Sequence, residues 1–411
     1  MRCLVGIDDT DSARGYCTTY LAYRIATDLR DECAILAYPR LVRLNPNIPF
    51  KTRGNAAVCL PIETKDPNRT FRRICAEARE FSDEDGGANS GLVFLEDLAL
   101  VDELRTLYSD ALRGVVNKHR VRRFLAQHNV KFWTQGNGMG LVGAASALAF
   151  DERFDHTYEL ISYREKERWG TPRAVEASSV RSMDAATFPH TFNNYDYQKR
   201  KVLISPHGPD PVFAGVRGDS PAAVLSAFGM LDYDEELHGH MIYVSNQHTE
   251  AHLGDKLDWK VYSSGWAEGK VEGAEVGPGG HVYITLRSDG TKRLCAVYEP
   301  TGDLKRVARR LRKGDTIRAY GGVRRPTSVH PKVLNVERID VLRLAGRDCG
   351  LVRGTYVASP RANRHLSKPL IRHGNEVPGS GSEEVQGWLV EGVRPVRALA
   401  RSPHHPRHVN R

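Results

Sequence analysis

Residues 3–29 read CLVGIDDTDSARGYCTTYLAYRIATDL, and the reading of this stretch decides the N-terminal fold. Cys3, Leu4 and Val5 open a short apolar run bounded by Gly6, the pattern of a buried strand. Leu21, Ile25 and Leu29 then recur every four residues, which predicts an amphipathic helix. Between strand and helix lie three carboxylates, Asp8, Asp9 and Asp11, within four positions. Like charges that close repel one another, so the loop calls for a positive partner. A strand-end loop is where α/β proteins build sites, and grouped carboxylates suit Mg²⁺, a hard cation that shares its shell with substrate phosphates. The same turn can equally be a solvated cap of the helix that follows.

Working outward, "AILAYPRLVRL" (34–44), "AAVCLPIET" (56–64) and "LVFLED" (92–97) read as strands, and residues 98–127 as two helices with Leu100, Leu104 and Leu107 on one face. The loop "NPNIPFKTRGN" (45–55) carries Lys51 and Arg53, followed by Gly54 and Asn55. Cations beside a glycine that lets the backbone approach suit an oxyanion, and they also suit a plain surface turn. "GNGMG" (136–140) runs into an apolar helix. Flexible glycines at a helix start, here Gly138 and Gly140, accept phosphate, although no Walker sequence follows. Thr18 stands at the start of the first helix, where composition alone predicts a cap.

The remaining chain divides by texture. From residue 151 to 257 short strands alternate with a helix that starts at Ser220–Pro221, since proline is tolerated in a first turn. Residues 258–343 give three strands, a basic helix (303–314) and two strands, the order of an OB barrel, a fold that often binds single-stranded nucleic acid. Residues 376–411, mixed Gly, Ser, Pro, Arg and His, are expected to be disordered. With 411 residues the chain is expected to form several domains.

Composition excludes some classes. No run approaches the ~18 apolar residues of a membrane span, and polar and acidic residues within 2–20 argue against a signal peptide. Seven scattered cysteines, an odd number without a CxxC, point to free thiols in a reducing cytoplasm. Residues 345–411 hold eleven Lys/Arg against five Asp/Glu, so the excess of a chain with net charge +9 is concentrated there. That asymmetry suits a phosphate-backbone partner or a solvated tail. His238, His240, His404 and His405 lack zinc spacing.

Four stretches together, "VGIDDTDSARGYCTTYLA" (5–22), "RLVRLNPNIPFKTRGNAAV" (40–58), "PDPVFAGVRGDS" (209–220) and "RHLSKPLIR" (364–372), resemble an archaeal family, the 2-agmatinylcytidine synthetases of the minor, AUA-reading isoleucine tRNA. The resemblance covers residues 1 to about 344 and resumes near 359–372. It implies an α+β multidomain chain: a kinase-like, ATP-binding catalytic domain (1–150), a ferredoxin-like domain (151–257), an OB-fold nucleic-acid-binding domain (258–343) and a basic, partly disordered tail (344–411). It implies an ATP-dependent ligase that activates the wobble cytidine oxygen as a phosphate leaving group and displaces it with agmatine. On that resemblance Asp8, Asp9 and Asp11 hold Mg²⁺, Lys51, Arg53, Gly54, Asn55, Gly138 and Gly140 serve ATP, and Thr18 is a phosphorylatable threonine. Within "PDPVFAGVRGDS", either Asp210 or Asp219 could pair with the agmatine guanidinium, and both equally suit plain turn carboxylates.

One departure is plain. The family's zinc ribbon needs two close cysteine pairs, and here "GRDCGLVRGTYVASP" (346–360) offers Cys349 alone, so no zinc is expected and tRNA docking falls to the basic segment 353–373. The expected partners are the minor isoleucine tRNA and agmatine, with no membrane, a cytoplasmic location and a monomeric state. Two other classes fit parts of the sequence. A non-catalytic RNA-binding protein on the OB barrel would ignore the acidic and basic loops, and a small-molecule kinase would turn over ATP without RNA.

Overall fold

The computed structural model describes residues 1–51, 54–197, 199–299, 301, 303–328 and 331–346, and the backbone of Gly354–Val357 and Leu389–Val393. Arg53, Cys349, the segment 358–373 and residues 394–411 therefore lie outside the described residues.

The strand Arg2–Asp8 is central to a large sheet, antiparallel to Ala56–Thr64 on one side and Gly91–Leu95 on the other. Its five inner residues, Cys3 to Ile7, are all buried. Gly6 and Asp8, two apart, share the face covered by the helix Gly140–Ala147. That helix comes unusually close. A Cβ on Gly6 would collide with the Ala144 carbonyl, and one on Gly91 with the Leu141 backbone. The helix Thr18–Asp28 also packs on this sheet, with Leu21, Ile25 and Leu29 fully buried as their spacing predicts. The stretch 34–44 forms two strands, Cys33–Ile35 and Arg40–Arg43, rather than one run through Pro39. Residues 98–127 give Val101–Arg113 and Lys118–Gln127, with Leu100, Leu104 and Leu107 buried.

The sheet does not stop at the first unit. Arg40–Arg43 pairs in parallel with Leu237–Ser245, which continues through Thr157–Arg164 and Val212–Gly218 to Thr191–Phe192. The Asn246 side chain seals the joint: its amide donates to the Arg43 carbonyl (2.9 Å) and its oxygen accepts from the Arg43 N–H (2.7 Å). Counting the strands of the large sheet, the chain order of this second unit is strand, helix, strand, strand, helix, strand, with helices Ala177–Thr187 and Pro221–Phe228; Tyr195–Asp196 and Lys201–Val202 form a separate two-stranded ribbon between the two middle strands. Pro221 occupies the first turn, and the Ser220 hydroxyl caps it by accepting from Ala223 N–H at 3.3 Å.

A bidentate ion pair locks this unit. Arg164 and Glu235, both buried, meet at 2.7 Å through Nε–Oε1 and Nη2–Oε2. Arg164→Met would strand a buried carboxylate, so unfolding free energy is expected to fall by about 3–5 kcal/mol. Chemical denaturation checks this, and a loss below ~1 kcal/mol would contradict it.

Residues 264–343 form a separate closed barrel of five strands with its own core, including Val271, Ile284, Leu286, Ile317 and Val336. The helix Asp303–Arg310 lies between the third and fourth strands, and the barrel closes where Cys295 and Ala296 pair in parallel with Leu334 and Asn335. The expected element order is met.

One expectation is corrected. Inside the region expected to be disordered, the backbone of Leu389–Val393 pairs antiparallel with Leu237–Met241, where Arg40–Arg43 does not reach. The short run Leu-Val-Glu-Gly-Val supplies the β-branched, apolar residues that fit such an edge. Among the described residues no helix is long and apolar enough to cross a membrane.

Candidate active site

The acidic loop, the basic loop and the second unit meet around one cavity of about 420 Å³. Asp8, Asp9, Asp11 and Thr18 line it from the first unit, Lys51, Gly54 and Asn55 from the loop at 45–55, and Asp210 from the second unit.

Asp8 ends its strand directly against the helix Gly140–Ala147. Gly143 is the residue that makes room, because a Cβ there would overlap the Asp8 carboxylate. Burial, with the neighbouring charges of Asp9 and Asp11, holds the Asp8 carboxyl well above the usual carboxylate range. Asp9 takes a left-handed backbone (φ 58°), and its N–H donates to Asp8 Oδ1 at 2.8 Å. Asp83 fixes the loop's far end. Arg14 Nε donates to its Oδ2 at 2.9 Å, Ser12 donates to the same oxygen, and Gly86 N–H reaches Oδ1 at 3.0 Å. The Arg14 hydrogen bond is the main reason that the Asp83 carboxyl is pulled down to about 2.

Among the described residues no three His, Cys, Asp or Glu side chains converge as a ready-made metal cage. The acidic loop still fits magnesium, which typically uses one or two carboxylates together with substrate phosphates rather than an all-protein shell.

Thr18 is not the helix cap that composition predicts. The cap position is Cys17, which makes no side-chain cap bond, and Thr18 is the first helical residue. The buried Thr18 hydroxyl instead turns to the acidic loop, 3.1 Å from the Thr10 hydroxyl and 3.4 Å from the Thr10 N–H. Burial, then Asp210 and Asp11, raise the Cys17 thiol pKa, so thiol and carboxylates share one electrostatic neighbourhood.

Lys51 donates to the Pro46 carbonyl, and burial together with Arg324 of the barrel lowers its pKa. Asn55, left-handed at φ 50°, closes the loop by donating to the Asn45 carbonyl at 2.7 Å. The loop is seated on the barrel: Asn47 donates to Ser264 Oγ (2.7 Å) and Asn45 to the Tyr262 carbonyl (2.7 Å). These asparagines read as turn residues in sequence and turn out to be buried docking groups.

The glycine loop differs from expectation. The Gly140 N–H donates to the Asn89 carbonyl (2.8 Å) and the Gly138 N–H to the Gln135 carbonyl (3.1 Å), so neither is open to a phosphate in this arrangement. Gly140 lines the cavity and Gly138 is not among its lining residues. Gly140 serves close packing, with a Cβ there falling 2.6 Å from the Asp8 carbonyl oxygen. Of the two proposed guanidinium acceptors, buried Asp210 lines the cavity while its Oδ1 accepts from Val212 N–H (3.1 Å) and Arg173 (3.3 Å). Asp219 lies outside the cavity lining, its carboxylate 2.8 Å from His190 in an exposed pair.

Three charged lining residues escaped the sequence reading: Arg43, Glu159 and Arg217. Part of the signal was present, since Arg217 is the one charged residue of VFAGVRG and Glu159 is a charge between Tyr158 and Leu160, whereas Arg43 ends a strand that also begins with an arginine.

Acidic and basic groups facing one cavity, beside a closed barrel, fit an enzyme that handles phosphate. Residues 4–137 match the family model described as the TiaS TCKD domain, and residues 138–252 match the TiaS FLD domain. A curated relative in Cenarchaeum symbiosum, the isoleucine-tRNA 2-agmatinylcytidine synthetase TiaS, is 44% identical over 350 residues, covering 84% of this chain and 77% of the relative. Its counterpart in Methanosarcina mazei is 33% identical, covering 90% of this chain and 97% of the relative. Among solved structures, the complex of TiaS with its isoleucine tRNA and ATP superposes with a TM-score of 0.81 at 32% identity, covering 92% of this chain and 98% of that one. The complex of TiaS with the same tRNA, AMPCPP and agmatine gives 0.80 with the same identity and coverage. The chain belongs to the family of 2-agmatinylcytidine synthetases that act on the minor isoleucine tRNA.

Proposed function

We propose that the cavity between the first two units is where agmatine is joined to the wobble cytidine of the minor isoleucine tRNA at the expense of ATP. The chain is an ATP-dependent tRNA-modifying ligase whose product, agmatidine, lets AUA be read as isoleucine. The observation that carries the reading is the convergence of the acidic loop, Thr18, Lys51 and Asp210 on one cavity. A non-catalytic RNA-binding protein would leave that convergence unexplained.

In this reading residues 1–150 act as the kinase-like ATP domain, 151–257 as the ferredoxin-like domain and 258–343 as an OB fold that receives single-stranded RNA. The element order of the second unit and the barrel's closure support the last two assignments. Lys51 and Arg53 steady the triphosphate, with Gly54 and Asn55 shaping their loop. One or two of Asp8, Asp9 and Asp11 would hold Mg²⁺, which when bound neutralises charge on the phosphates. Asp210 presents a buried carboxylate to the cationic end of agmatine. Asp219 lies outside the cavity lining, so this reading gives it no role. The tail's basic segment supplies the RNA contacts that a zinc ribbon would otherwise make. Six described cysteines are free thiols, which supports a reducing cytoplasm. We further propose that the chain acts as a monomer.

Thr18, pointing into the acidic loop, is proposed to accept a phosphoryl group during turnover. Thr18→Val keeps the shape and removes the hydroxyl, so agmatidine formation is expected to fall roughly a hundredfold or more, with no phosphothreonine in the protein's mass spectrum. Thr18→Ser is expected to retain both signals. A Thr18→Val enzyme at full rate would show that the hydroxyl is only a partner for Thr10.

A further inference from the structure

The cavity holds a second charged cluster that the acidic loop does not account for. Arg43, Glu159 and Arg217 line it from three different strands. Glu159 is only 3% exposed. Its Oε1 lies 2.8 Å from Arg217 Nη2 and its Oε2 3.8 Å from Arg43 Nη2, the second distance too long for a hydrogen bond. The backbone is cut away to admit this carboxylate, since a Cβ on Gly215 would stand 2.8 Å from Glu159 Oε1. Gly54 likewise clears space for the Arg43 guanidinium, whose Nε and Nη2 also donate to Gln247 Oε1 at 3.2 and 3.0 Å.

Two guanidinium groups against one carboxylate leave a net positive charge inside the cavity wall. Burial holds Arg43 below its ordinary pKa, and the like charge of Arg217 pushes the same way, with Glu159 and Asp11 opposing. Arg43 is therefore within electrostatic reach of the loop that carries Asp11 and Thr18. Arg217 Nε is shielded from solvent and has no hydrogen-bond acceptor among the described residues, and Glu159 Oε2 has no donor. A buried donor left open is costly unless a ligand completes it. An oxyanion would do so, because guanidinium forks match tetrahedral phosphate oxygens.

We infer that Arg43 and Arg217, oriented by Glu159, form a phosphate-binding site for the group that leaves the activated cytidine. This rests on the ligase reading above. In that step the neutral agmatine nitrogen forms a bond to the second ring carbon of cytidine and gives up one proton to solvent. The bond from that carbon to its oxygen breaks, and the oxygen departs with its phosphoryl group and the bonding electron pair as inorganic phosphate. Negative charge grows on the departing oxygen as the bond breaks, so fixed cations there stabilise the transition state more than the ground state. Glu159 is a positioning residue.

The test uses the full chain with ADP saturating, so that the triphosphate loop is filled, and titrates inorganic phosphate by calorimetry. The unaltered protein is expected to bind phosphate, Arg217→Gln to bind it at least tenfold more weakly, and Arg217→Lys to fall between. Unchanged phosphate affinity in a folded Arg217→Gln protein overturns the site. If that result comes with weaker tRNA binding and a shallower salt dependence, the pair holds an RNA backbone phosphate instead. If it comes only with a lower thermal midpoint, the trio is a clamp between strands. Should Arg217→Gln fail to fold, Arg217→Lys carries the same comparison. An unaltered protein that makes agmatidine but binds no phosphate overturns this site and spares the ligase reading, whereas one that binds phosphate without making agmatidine does the reverse.

Discussion

Asp8→Asn is expected to reduce agmatidine formation by roughly two to three orders of magnitude without lowering the stability of the protein. The two halves of this result have one cause. In the magnesium-free protein the Asp8 carboxyl is buried beside Asp9 and Asp11 and its pKa is raised. The folded state then binds the proton more tightly than the unfolded state. Stability falls as pH rises above the ordinary carboxylate range, where the unfolded chain has ionised and the folded chain resists. Asparagine imitates the protonated form and removes that penalty. Urea unfolding in magnesium-free buffer should therefore show the variant as stable as the parent at or below the ordinary carboxylate range, and more stable at neutral pH. Lower stability at neutral pH would mean that Asp8 already has a compensating positive partner.

Gly143→Ala should be damaging although it sits in a helix, where alanine ordinarily gains about 1 kcal/mol over glycine. The added methyl would overlap the Asp8 carboxylate, and the helix cannot retreat because Gly6 and Gly91 bring it equally close elsewhere. Overpacking of this kind costs about 1–3 kcal/mol, so the usual sign is reversed. Activity should fall further than stability, because the atom displaced first is the Asp8 carboxylate oxygen. A thermal midpoint at or above the parent's would contradict the packing account, and normal turnover would contradict the placement of Asp8 in the site.

These two residues also show what the sequence makes legible. The strand and helix around Asp8 follow from apolar spacing, and the barrel from the order of its elements, with the helix between the third and fourth strands. The glycines at 138 and 140 misled, because a phosphate loop and a close helix–strand contact both demand residues without side chains. Only the fold reveals that their N–H groups are taken by Gln135 and Asn89. Thr18 misled in the other direction. A hydroxyl at a helix start is commonly a cap, and only the position of Thr10 across the loop shows where this one points. Arg43, Glu159 and Arg217 lie far apart in the chain, and their meeting depends on sheet register, with Arg217 directly opposite Glu159. No local pattern encodes that. Asp219 looked equivalent to Asp210 in one short motif, yet the two fall at opposite ends of the strand Val212–Gly218.

The measurement that tests the central claim most directly is mass spectrometry of nucleosides from the minor isoleucine tRNA. The full chain is incubated with Mg²⁺–ATP, agmatine and unmodified tRNA, and the RNA is then digested. One cytidine is expected to gain the mass of agmatine less water, only when ATP and agmatine are both present. Cytidine left unchanged, with the tRNA bound and ATP supplied, would contradict the assignment of this cavity as a site of agmatine ligation.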